Sequence, residues 1–171
     1  MKKVFLTILI LFLVTGLVGC ASEQYVDTIE VTFYYTQTEL DHGSDTPLLM
    51  KVIRSVSAED NDYEAILKIY LNGPTTYDCV SPFPGGTELV EMYVDGHKAN
   101  IVLSPHIGTL APARQTVAFA CLSKTVIELT KVSSVQIRLQ DSLINGKEFI
   151  TFDSNSFVFF DSMTQDDDSI D

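Results

Sequence analysis

The stretch Glu88-Leu89-Val90-Glu91-Met92-Tyr93-Val94-Asp95-Gly96-His97-Lys98-Ala99-Asn100-Ile101-Val102-Leu103 decides the fold. Two alternating runs flank Asp95-Gly96, a strong two-residue hairpin signal. If Val94 faces His97, then Met92 faces Ala99 and Val90 faces Ile101. The opposite side then pairs Tyr93 with Lys98 and Glu91 with Asn100. One side is apolar and the other mostly polar, as a sheet with one buried face requires. Just before it, Ser81-Pro82-Phe83-Pro84-Gly85-Gly86-Thr87 reads as a rigid turn region. Its Gly-Gly lacks the lysine and following helix of a phosphate loop, so it is read as a turn.

Moving outward, residues 28–35 alternate cleanly, with Ile29, Val31, Phe33 and Tyr35 on one side. That is a half-buried strand. A polar loop over 36–47 leads to a second strand at 48–56. There Arg54 shares a side with Met50, Val52 and Val56, which suits an edge. Ser57, with Asp60 three residues on, is a capping-box signal for a helix. Its buried face is Tyr63, Ile66, Leu67 and Tyr70, and Gly73-Pro74 ends it. Glu59, Asp60 and Asp62 lack calcium-loop spacing and suit a solvated helix start.

Beyond the hairpin, residues 113–130 carry helical spacing, with Ala118, Cys121, Leu122, Thr125 and Leu129 as a narrow packing stripe. Alternation returns at 134–140, with Val135, Ile137 and Leu139 inward. Asn145-Gly146 marks a turn before a further strand at 148–152. Residues 157–160 are an aromatic run that either covers an open edge or forms a patch for a partner. The expected architecture is α+β: a single domain at 28–160, a mostly antiparallel twisted sheet of four to six strands, and two helices packed on one face. Residues 161–171 read as a disordered acidic tail.

At the other end, Lys2 and Lys3 precede an apolar run over residues 4–18. As a helix it spans about 22 Å, short against a bilayer core of about 30 Å. It fits an export signal. Leu17-Val18-Gly19-Cys20 closes it and resembles the bacterial lipoprotein signal. The resemblance implies that residues 1–20 hold a lipoprotein signal cut in front of Cys20, that Cys20 becomes the mature N-terminus carrying diacylglycerol and palmitate-type chains, and that the protein is attached to the outer side of the cell membrane. Two acyl chains suffice for lasting attachment. Residues 21–27 form a tether that reaches about 25 Å at full extension, so a partner near the bilayer is expected.

Composition narrows the function. The 171-residue chain carries a formal charge of −12, and without Lys2 and Lys3 the remainder is −14. Such a body does not engage nucleic-acid phosphates and is repelled by anionic lipid. Cys79 and Cys121 are left in an exported chain, so a disulfide between them is one expectation; two small buried hydrophobes is the other. His42, His97 and His106 fall in loops without metal-ligand spacing. No G-x-S-x-G occurs, and Ser81 sits between Val80 and Pro82. No catalytic, cofactor-binding or metal-ligating residue is assigned, and no cofactor is expected.

The order of these elements resembles the GerMN domain of sporulation and spore-germination lipoproteins. The matching residues begin with Val31, Phe33 and Tyr34-Tyr35, then Leu71-Asn72-Gly73-Pro74. They continue through Ser81 to Thr87, Asp95-Gly96 and Ile101-Val102-Leu103-Ser104, and end with Thr125-Val126-Ile127-Glu128-Leu129 and residues 132–135. Family members often carry tandem copies, and one is seen here; Val126-Ile127 stands where Leu-Thr is common. The resemblance implies a non-enzymatic protein–protein module for envelope assembly in sporulation or germination. Its expected partner is the extracellular part of a membrane protein. The alternatives are a cell-wall glycan binder and a regulatory lipoprotein of a sensor kinase.

Overall fold

The computed structural model describes residues 27–37, 48–57 and 62–157. Within them, strands β1 (Thr28–Gln37), β2 (Met50–Ser57) and β3 (Cys79–Val80) form one sheet in the order β2-β1-β3. A second sheet, in the order β4-β5-β6-β7, holds β4 (Leu89–Asp95), β5 (Lys98–Leu103), β6 (Ser134–Leu139) and β7 (Ile150–Asp153). Helices α1 (Tyr63–Leu71) and α2 (Pro112–Thr130) complete the fold. The α+β class stands, but the single expected sheet is two. Every strand pair is antiparallel except β5 and β6, which run parallel. A parallel pair needs a long crossover, and α2 lies on that connection.

The hairpin alternation is present, but its register is moved by two residues. Val94 faces Ala99, Met92 faces Ile101 and Tyr93 faces Asn100. Asp95 faces Lys98, so the two loop residues are Gly96 and His97. Gly96 has φ +57 and His97 does not share the positive φ, which is the type II′ pattern with Gly first. A shift of two leaves every side chain on its own face, so the inward and outward sets survive. Val90 is the exception. Leu89 faces Leu103 while Glu91 faces Val102, so Val90 is a bulge residue. Without that bulge Leu89 would point outward. With it Leu89 joins the core and Val90 is left 42% exposed.

The main core joins the two sheets. Val31, Phe33 and Tyr35 of β1 meet Ile66, Leu67 and Tyr70 of α1 and Ala99, Ile101, Val135 and Ile137 of the second sheet. A smaller cluster, Tyr34, Leu49, Ala120, Cys121 and Phe157, lies behind β1. Helix α2 faces both clusters. Residues 118–123 are all buried, so the expected narrow stripe is a helix covered on nearly all sides.

Helix α1 starts later than expected. Asp62 is its N-cap, accepting from the Glu64 N–H at 3.3 Å, whereas Ser57 is the last residue of β2. Asp60 and Glu59 lie outside the described residues. Tyr63 is 42% exposed and not part of the buried face, because it precedes the turn that meets the core. Gly73, at φ +93, ends the helix as expected, donating to the Tyr70 carbonyl. Strand β2 is an edge, with Arg54 half-buried on the side of Val56. Among the described residues no helix is long and apolar enough to cross a membrane.

After β7, the Asp153 carboxylate accepts from the Asn155 and Ser156 N–H groups, both at 3.0 Å, and from the Ser156 hydroxyl at 2.9 Å. The turn it caps seats Phe157 against Phe152, ring centroids 6.2 Å apart. The first residue of the aromatic run is therefore a cover; residues 158–160 lie outside the described residues. The Ser156 hydroxyl bond leads in holding the Asp153 carboxyl below its usual value of 3.8. A depressed folded value stabilises the turn above the unfolded pKa, and this is lost as pH falls through the folded one. The Asn155 and Ser156 amide signals are expected to titrate with a midpoint below 3.8; a midpoint at or above it would contradict this cap.

Candidate functional site

Strand β1 is where the sheets and helices are joined. The Tyr34 backbone points away from β2, short of the two residues that pair with β3. Such an edge must find partners. Helix side chains supply them. The Tyr34 N–H donates to the Thr125 hydroxyl of α2 at 2.9 Å. The Tyr70 hydroxyl of α1 donates to the Tyr34 carbonyl at 2.7 Å. The Tyr34 hydroxyl bonds Glu128 at 2.6 Å, and the Lys124 ammonium sits 5.1 Å from its ring centroid.

Tyr70 also anchors an aromatic stack. Its ring lies 5.0 Å from that of Tyr35 and 5.5 Å from that of Phe33. Phe83 meets it edge-on at 5.7 Å. Burial holds the Tyr70 hydroxyl protonated far above its usual range, aided by the neighbouring Cys121 and Tyr35 groups. Burial likewise raises Tyr35, with the Arg54 guanidinium drawing it partly back.

The two cysteines border this stack from different clusters, both buried and both free thiols. Cys79 contacts the Thr76 hydroxyl at 3.1 Å. Cys121 is pushed up to about 12 by burial, which leaves an inert thiol. Cys20 and His42 lie outside the described residues. Among the described residues no three His, Cys, Asp or Glu side chains gather to hold a metal. His106 contacts the Ser104 hydroxyl at 3.2 Å, and Ser81 accepts from the Phe83 N–H at 3.2 Å. Both act as loop fasteners.

Phe83 fixes the Ser-Pro-Phe-Pro loop to the core, and the far side of the loop is pinned to the end of β5. The Glu88 N–H donates to the Ser104 hydroxyl at 2.9 Å, and the Ser104 N–H donates to the Glu88 carbonyl at 2.9 Å. Gly86, at φ +84, takes the left-handed turn that favours glycine, and the His106 ring lies beside it at ordinary contact distance. Held in this way, Pro82 and Pro84 form one wall of a groove of about 550 Å³. Val117 and the start of α2 form the other wall, with Leu48 and Leu110 between. Residues 38–47, which join β1 to Leu48, lie outside the described residues.

The groove is mostly apolar, but its mouth is not. Helix α2 begins at Ala111 with no side-chain cap and no acidic residue in its first turn. Arg114 stands there, exposed and without an ion pair among the described residues. A helix start carries partial positive charge. The mouth is thus electropositive on a chain of −12. The loop was legible as a turn, but its meeting with α2 depends on tertiary packing that spacing does not report.

A family model described as "Germane: Sporulation and spore germination" matches residues 32–147. The chain belongs to this family. The same fold occurs in the tandem GerMN domains of the sporulation protein GerM from Bacillus subtilis, at 16% identity and a TM-score of 0.56. The match covers 71% of this chain and 43% of that one, so this Germane-family chain spans less than half of the tandem structure. A putative lipoprotein from Clostridium perfringens is also similar, at 16% identity and a TM-score of 0.43, covering 75% of this chain and 89% of that one. No curated protein matches the chain.

Proposed function

We propose that this protein is an extracytoplasmic lipoprotein that acts without catalysis as a docking module for envelope assembly in sporulation or germination. Family membership supports the setting. Leu17-Val18-Gly19-Cys20 supports lipid attachment at Cys20, and the short segment 21–27 keeps the domain near the bilayer. The groove carries the docking reading. It joins apolar walls to a positive mouth, and it is built from the Ser-Pro-Phe-Pro loop that belongs to the family pattern. Its partner is the extracytoplasmic part of a membrane protein, presenting an apolar segment with a carboxylate that meets Arg114.

A photoreactive residue in place of Val80, which is 40% exposed on the groove rim, tests this in intact spore-forming cells. The expected result is a discrete membrane-protein adduct that Arg114→Glu removes. Recovery of free monomer alone under spore-forming conditions would contradict the proposal.

A further inference from the structure

The second sheet has an inner face that is wholly apolar and an outer face of a different kind. The pairing aligns Tyr93, Asn100, Gln136 and Thr151 in one outward row, one residue on each of four strands. Tyr93 is 49% exposed. Beside it stand two carboxamides and a hydroxyl. Asn100 and Thr151 make no side-chain hydrogen bond among the described residues. Gln136 uses only its carbonyl oxygen, which accepts from Lys98 at 3.0 Å. Neighbouring strands are about 4.8 Å apart, close to the length of a sugar ring.

The charges around the row largely cancel. Glu91 and Arg138 pair at 3.1 Å across Val102, which they cover to 5% exposure. Asp95 and Asp153 flank Lys98 and Ser134 in the next row. Three acids against two bases leave this face at −1 on a chain of −12. It is a nearly neutral strip with a planar aromatic group and unspent donors and acceptors in line.

We propose that this outer face binds an extended, uncharged polysaccharide of β-1,4-linked sugars, laid along the row with one ring stacked on Tyr93. Aromatic stacking supplies apolar contact with the ring face, while the carboxamides exchange hydrogen bonds with its hydroxyls. A row running across four neighbouring strands suits an extended, ribbon-like chain rather than a coiled one. This site is separate from the groove and stands whether or not a protein docks there.

The test is titration calorimetry of the full-length protein in detergent with soluble β-1,4-linked oligomers of N-acetylglucosamine and of glucose. Wild type is expected to bind at least one of them. Tyr93→Ala should weaken that binding by about tenfold or more, Asn100→Ala by less, and Tyr77→Ala, an exposed tyrosine in the first sheet's connecting loop, not at all. No binding heat from wild type with either oligomer would overturn the proposal. So would Tyr93→Ala binding as wild type does, or self-association by sedimentation that Tyr93→Ala abolishes, which would assign the face to a second copy.

Discussion

Tyr70→Ala leaves little folded protein at room temperature, while Tyr70→Phe remains folded. Removing a fully buried ring of this size costs about 3–5 kcal/mol through lost transfer energy and the cavity left behind. Tyr70 is at 0% exposure and touches three aromatic rings, so the surrounding rings cannot simply close in. The alanine variant also orphans the Tyr34 carbonyl, which otherwise accepts from the Tyr70 hydroxyl; an unsatisfied buried group costs about 1–3 kcal/mol more. Together these approach the entire stability of an ordinary domain, about 5–15 kcal/mol. Phenylalanine keeps the stack and loses only the hydroxyl bond, so its cost is expected near the second figure alone. Urea denaturation of both variants checks this. Near-equal midpoints would mean that the stack is not what holds β1 to α1 and the Ser-Pro-Phe-Pro loop.

Thr125→Val is the sharper of the two substitutions, because it changes almost no volume. Thr125 is at 0% exposure and accepts the Tyr34 N–H from the otherwise open edge of β1. Valine fills the same space and offers no acceptor. Water cannot readily replace it there, with Cys121 and Val126 buried on the same helix. A loss of about 1–3 kcal/mol is expected. Thr125→Ser, which keeps the hydroxyl, should recover most of it apart from the missing methyl. Amide exchange at Tyr34 gives the local readout: fast in the valine variant, slow in wild type and serine. Slow exchange at Tyr34 in the valine variant would show that α2 does not close that edge.

These residues also show what spacing reports and what it leaves out. The inward sets of β1 and β6 were legible because a strand with one buried face alternates visibly: Val31, Phe33, Val135 and Ile137 sit in the core as expected. The register of β4 and β5 was not. Sliding one strand by two preserves every face, so the alternation supports both pairings equally, and the choice fell to the Gly96-His97 turn. The bulge at Val90 is invisible for a related reason, since an extra residue only appears once the partner strand is counted against it. Helix α2 read as a narrow stripe because periodicity weighs one contact face, whereas the second sheet adds another. Tyr34 occupies an outward position in the β1 alternation yet is buried behind it by α2.

The groove lies at the same limit. Ser81-Pro82-Phe83-Pro84 announces a rigid loop, and the spacing from residue 113 announces a helix, but nothing in their separation along the chain brings Pro84 near Arg114. That proximity follows from Phe83 seating on Tyr70 and from Ser104 fastening Glu88. The polar row of the second sheet was closer to legible. Tyr93 and Asn100 were both assigned outward, but Gln136 and Thr151 join them only through the parallel pairing of β5 with β6 and the addition of β7.

The docking role proposed for this protein depends on its being held at a membrane surface by lipid on Cys20. Flotation of the purified full-length protein with phospholipid vesicles, wild type beside Cys20→Ser, measures that directly. The wild type is expected to rise with the vesicles, since two acyl chains give lasting attachment and none gives essentially no hold for an acidic body. The serine variant is expected to stay below. Equal flotation of the two would contradict the tethered-module account.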